Sequence, residues 1–240
     1  MPPVYKRRMA RQPSQDQIPV YLEAGKKRVF AGAIEWPGWC RSGKSDEAAL
    51  EGLAAYAPRY ATALRGTKLG FDPPGDATAF QVVERLEGDA TTDFGAPGKA
   101  PAADERPVDD VEFGRMQAIL RACWKVSDAA AEAAEGQVLT KGPRGGGRDL
   151  DKILRHVLEA DAGYLGRIGA KYQLQDGRDP RKELIRIRPF ILGALSAVAC
   201  GEPVRTGPRG GVRWTARYYV RRSAWHVLDH AWEIEDRAAG

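Results

Sequence analysis

Histidine is scarce in this chain, with three in 240 residues. Cysteine is as scarce: Cys40, Cys123 and Cys200 are the three, far apart and without a CxxC pair. An odd, dispersed set of this kind argues against a zinc ribbon or a disulfide framework, so a reducing, cytoplasmic setting is expected. No run of about 18 apolar residues occurs, which argues against a transmembrane helix. The basic start, MPPVYKRRMARQPSQ, leads into no apolar segment, so no secretory signal is expected. The pattern GxxxxGK[ST] occurs once, as GWCRSGKS (38–45), but no P-loop is expected. Charge of one sign is also in short supply, since 37 basic residues face 32 acidic ones for a net +5. The dense basic runs are only YKRRMAR at the start and YYVRR at 218–222, so no nucleic-acid partner is expected. What remains, 43% hydrophobic and 29% charged, is the composition of an ordinary globular protein.

The length suits one large domain or two small ones. The stretch APGKAPAADERPVDD (96–110) is rich in proline, alanine and charge and has no apolar periodicity. Residues 96–108 therefore read as a linker between a small α+β domain (1–95) and a helical domain (109–240). In the first part, IPVYLEA and KRVFAGAIEW have the β-branched and aromatic content of strands, with AGKK as a hairpin turn. Pro37-Gly38 marks a further turn. Ser45 is placed to cap a helix that carries Asp46 and Glu47 in its first turn and begins its apolar face at Leu50, Leu53, Ala54 and Tyr56. FQVVERLEG (80–88) reads as a third strand. The order strand–PG–strand–SGKSDEAAL–helix resembles the small HicB-like antitoxin fold, and the resemblance implies an interaction module. A structural or dimerising appendage, leaving a homodimer open, is the plainer reading of the same residues.

The second part reads as four helices, so the fold class expected is mainly α, a four-helix bundle preceded by a small α+β domain. DDVEFGRMQAILRACWKVSDAAAEAAEG places Phe113, Met116, Ile119, Leu120 and Cys123 at helical spacing. DLDKILRHVLEADAGYLGRIG has Asp149 as its candidate cap. DPRKELIRIRPFILGALSAVACG starts at Asp179-Pro180, and its internal Pro189 is a candidate kink. TARYYVRRSAWHVLDHAWEIEDR is the last.

All three histidines fall in these helices. His226 and His230, four apart, sit one above the other on one helix face and can bind one ion together. Two ligands do not complete a tetrahedral site, and His156 is the only imidazole left to supply a third. Three histidines leave one position open, as catalytic zinc sites do. Packed or surface histidines unrelated to metal are the plain alternative. A histidine in the second helix of a bundle followed far downstream by HxxxH in the last, carried here by ILRHVLEADAGYLGRIG and RRSAWHVLDHAWEIEDR, resembles the DinB/YfiT-like metalloprotein superfamily over residues 108–240. The resemblance implies a divalent metal, zinc or nickel most often, held by His156, His226 and His230. It also implies, for several members, a thiol-dependent transferase or isomerase reaction using a low-molecular-weight thiol.

Asp229 and Glu233, each three residues after a histidine, are the candidate catalytic acids, as a general base or as an acceptor orienting a histidine N–H. Solvated acids paired with Arg222 or Arg237 are the alternative, and Glu159, three after His156, stands in the same position. HVLDH also resembles the HxxEH protease motif, but its aspartate falls short of a water that glutamate reaches. Arg217, Arg221 and Arg222 precede the paired histidines and could favour an anionic small-molecule substrate. GPRGG occurs at 142–146 and 207–211, each time before a histidine-bearing helix, as an anion-binding or merely flexible loop. Two readings stay open: a metalloenzyme, and a metal-stabilised binding module without turnover.

Overall fold

The computed structural model describes residues 17–141, 147–175, 177–201 and 213–239. It is mainly helical, with a small mixed sheet in the N-terminal part. Strands β1 (Ile18–Ala24), β2 (Val29–Ala33) and β3 (Cys40–Gly43) form an antiparallel meander, and β4 (Phe80–Glu87) returns parallel to β1, giving the order β3-β2-β1-β4. The strand expected after Pro37-Gly38 is the short Cys40–Gly43, four residues long with half its positions only partly buried.

Helices α1 (Asp46–Ala55) and α2 (Ala57–Ala63) follow β3, and the short α3 (Ala90–Phe94) follows β4. Ser45 caps α1 as expected, its hydroxyl accepting from the Ala48 N–H at 3.2 Å. The Pro37-Gly38 turn brings the chain hard against a later helix. Gly38 has φ +94°, and a Cβ there would lie 3.0 Å from the Cβ of Ala224. Trp39 beside it is fully buried, donates its indole N–H to the Leu53 carbonyl at 2.8 Å and stacks on Tyr60.

Four long helices make up the rest: α4 (Asp110–Ala133), α5 (Leu150–Arg167), α6 (Pro180–Ala199) and α7 (Ala216–Ala238). Asp109, Asp149, Asp179 and Thr215 cap them, each accepting a backbone N–H of the first turn. Pro189 lies inside α6 without ending it. Helices α4–α7, α5–α6 and α5–α7 pack most closely, α6 touches α4 and α7 lightly, and α4 and α5, consecutive in the chain, barely touch. No helix among the described residues is long and apolar enough to cross a membrane.

The halves differ in secondary structure as expected, but they share one core. Val20, Leu22, Trp39 and Leu53 belong to the same buried cluster as Ile119, Ile153, Ile187 and Val227. Helix α7 joins them. Its Trp225 meets Phe30 of β2 edge-on at 6.0 Å, and its Arg221 donates to the carbonyls of Ala33 at 2.7 Å and Ile34 at 2.8 Å.

Residues 96–108, expected as a linker, are a packed strap. Glu23, fully buried on β1, accepts from the backbone N–H groups of Gly98 and Lys99. Asp104, in a one-turn 3-10 helix (Ala102–Glu105), is buried and holds Arg221 through two bonds of 2.7 Å. The carbonyls of Arg106 and Pro107 accept from Arg217. Its polar composition serves long-range partners, which is why it resembles a solvated linker in sequence. Limited proteolysis of the native protein is therefore expected to leave 96–108 intact, with mass spectrometry of the earliest fragments as the readout. A first cut inside this stretch would contradict the packing described.

Candidate metal centre

Helices α5 and α7 pack side by side and bring His156, His226 and His230 together. One ring nitrogen from each lies within 4.8 Å of the others. The ring centroids are 5.0, 5.0 and 4.7 Å apart, all in edge-on arrangements. The Nε2 atoms of His156 and His226 face each other at 3.2 Å. Two nitrogens bound at about 2.05 Å to one tetrahedral ion must lie about 3.3 Å apart, so this separation fits a ligand edge. His226 is 6% exposed, while His156 and His230 are half-buried, so the cluster is not sealed from solvent.

The surroundings keep two of the rings neutral. Burial holds the His156 imidazole down at about 4, assisted by His230 and the Arg148 guanidinium. Burial also holds the His226 imidazole well below its ordinary value, with His230, Arg222 and His156 adding to it. Lone pairs are therefore available near neutral pH, as metal ligation requires. The Nδ1 of His226 is buried and has no partner among the described residues.

The two candidate acids separate. Glu233 takes the histidine: its Oε2 is 2.8 Å from His230 Nδ1, and its Oε1 accepts from Arg237 at 2.8 Å. The bond to His230 comes first, and that to Arg237 second, in holding its carboxyl below the usual range. A carboxylate here fixes the His230 tautomer and leaves Nε2 as the ligand atom. Arg237 in turn donates to the carbonyls of Thr140 and Arg148, tying the segment before α5 to the end of α7. Asp229 goes elsewhere. It accepts from Arg41 of β3 at 2.9 Å, and that guanidinium lies 3.7 Å over the Tyr56 ring. Asp229 is thus part of the contact between sheet and helix and not of the histidine cluster. Glu159 is exposed and also stands outside it.

The three arginines expected to attract an anion separate as well. Arg217 pairs with Glu112, and Arg221 is enclosed with Asp104, so both are structural. Arg222 alone stays near the histidines, 5.5 Å over Tyr164 and 4.7 Å over Trp225, with one terminal nitrogen lacking an acceptor among the described residues. Tyr164 itself stands 5.8 Å from the His226 ring.

Two neighbours of the site, and a buried acid further along α5, escape the sequence reading. Arg148 lies in a glycine-rich stretch that marks nothing about its side chain. Tyr164 reads as an apolar position of α5. Asp161 is fully buried on α5, bonded to the Ser223 hydroxyl at 3.2 Å, with its other oxygen unpartnered, and burial pushes it up to about 7. Its signal is an acid four residues from both Val157 and Leu165, on the buried stripe. Both GPRGG copies lie outside the described residues. Comparison with known proteins finds no matching family model, no matching curated protein and no matching solved structure.

Proposed function

We propose that the chain is a metal-dependent enzyme of DinB/YfiT type, with α4–α7 as its four-helix bundle. The observation that carries this reading is the convergence of three imidazoles on one point while Asp229 and Glu159 stay outside. His156, His226 and His230 would hold zinc or nickel, metals that imidazole suits. Bound there, such an ion would supply Lewis acidity and lower the pKa of a nucleophile placed beside it. Glu233 orients His230. Arg148 and Arg222 place positive charge beside the cluster and favour an anionic small molecule. Tyr164 forms part of the wall. A thiol-dependent S-transferase or isomerase reaction, with a low-molecular-weight thiol as co-substrate, is the activity this arrangement supports. Here Glu233 is a positioning residue, and Asp229 has no part in the chemistry.

The test is the absorption spectrum of the cobalt-substituted full chain, titrated with small thiols and azide. A new charge-transfer band on adding thiol, and altered visible bands with azide, are expected from an exchangeable position. A spectrum unmoved by thiol, azide and pH would mean a closed shell and a structural metal.

A further inference from the structure

A second site lies away from the histidines, between α4 and α6, and owes nothing to the proposed reaction. These two helices touch lightly and leave a cavity of about 550 Å³. That volume is in the range of small-molecule pockets, about 300–1,000 Å³. Its apolar lining comes from Trp124 of α4 and from Ile185, Pro189 and Leu192 of α6. Ile185 is 61% exposed, a large apolar side chain with no cover among the described residues.

The charge at this cavity is mainly positive. Arg121 and Lys125, one turn apart on α4, line it, are exposed and have no ion-pair partner among the described residues. Arg188 lines it from α6 and is bonded twice to Asp128 at 2.7 Å. Three cations and one carboxylate leave an excess of positive charge around an apolar trough.

Unanswered donors add a second indication. The Nε1 of Trp124 and the Nε of Arg188 are buried and lack an acceptor among the described residues. The two side chains adjoin, with the Arg188 guanidinium 5.5 Å from the indole centroid. Buried N–H groups without acceptors are uncommon and call for a missing partner. An acceptor oxygen is what both lack. An ammonium cannot provide it, and a purely apolar ligand cannot either.

From this we infer that the α4–α6 cavity binds an amphiphilic carboxylate. Its head group is held among Arg121, Lys125 and Arg188, and its apolar body lies on Trp124, Ile185, Pro189 and Leu192. Pro189 contributes in a further way. It has no N–H, so the Ile185 carbonyl one turn earlier has no helical donor, and the helix is locally open to adjustment there.

Isothermal titration of the full chain with octanoate tests the inference, with octylammonium and acetate as comparisons. Octanoate should bind, octylammonium at least tenfold more weakly, and acetate not measurably. Shortening the chain should weaken binding about fourfold per CH₂, the value of burying one methylene. The double variant Arg121→Gln/Lys125→Gln changes only exposed residues and should lose at least tenfold in octanoate affinity. Trp124→Phe keeps the ring, removes the donor and should lose severalfold. His226→Ala should bind octanoate as the parent does. The inference is overturned if octanoate fails to bind at millimolar concentration, or if octylammonium binds equally well. It is overturned too if the double variant binds unchanged, or if His226→Ala abolishes binding, which would move the carboxylate to the histidine cluster. A dimer that dissociates on Ile185→Glu, with no octanoate binding, would assign the cavity to a second copy of the chain and would equally overturn it.

Discussion

Asp104→Ala is expected to destabilise the protein by about 3–5 kcal/mol, the cost of leaving a buried charge without its partner. Asp104 and Arg221 are 1% and 6% exposed, so solvent screens neither. The pair is bidentate, with both bonds at 2.7 Å. Arg221 also donates to the Ala33 and Ile34 carbonyls and lies over the Tyr21 ring. One guanidinium therefore connects α7, the end of β2 and the strap at 96–108. Removing the aspartate leaves that cation enclosed with two carbonyls and the Tyr21 ring and without a counter-charge. Urea unfolding of Asp104→Ala, Arg221→Met and the double variant measures the effect. Each single change should be costly, and the double should cost clearly less than their sum, because it removes the stranded partner as well. A loss below about 1 kcal/mol for Asp104→Ala would mean that the pair behaves as an ordinary surface ion pair.

Asp161 should make the fold less stable as pH rises. Its carboxyl titrates at about 7 in the folded chain, against an ordinary aspartate value near 3.9, because burial disfavours the charged form. Between about pH 4 and pH 7 the folded chain holds a proton that the unfolded chain has released. This stabilisation is complete below about pH 4 and is lost as pH rises through 7. The difference amounts to about 4 kcal/mol across that window. Asp161→Asn keeps an oxygen able to accept from Ser223 and removes the charge. It should match the parent near pH 4 and exceed it in stability near pH 8. Chemical denaturation across pH 4–8 gives the comparison. Parallel curves for the two proteins would show that Asp161 carries its charge in the fold without penalty.

Local chemistry was legible in the sequence, and distant pairing was not. Ser45, Asp149 and Asp179 could be assigned as caps because capping depends on residues within one turn. The strap at 96–108 was hidden because its composition is that of a linker, and its partners Glu23, Arg217 and Arg221 are far away in sequence. The histidines stood out through scarcity and the i, i+4 spacing of two of them. Helix geometry could have refined their neighbours. At about 100° per residue, Arg222, Glu233 and Arg237 project within about 40° of His226, on the histidine face. Asp229 lies about 60° from His226 and about 100° from His230, at the edge of that face, and Arg217 and Arg221 fall near the opposite face. The structure divides their roles along the same line: the first group lies beside the cluster, and the second bonds to the sheet, the strap and α4.

Metal content decides the central claim most directly. Untagged protein, purified without chelator and loaded with zinc or nickel, should carry about one ion per chain by elemental analysis. His226→Ala should remain helical by circular dichroism and carry almost none. Glu233→Gln should keep the site but bind the ion about 10–100-fold more weakly, the usual effect of removing a carboxylate that orients a ligand. Equal metal in the parent and in His226→Ala would contradict the account, because the ion would then be bound without the histidine on which the whole arrangement depends.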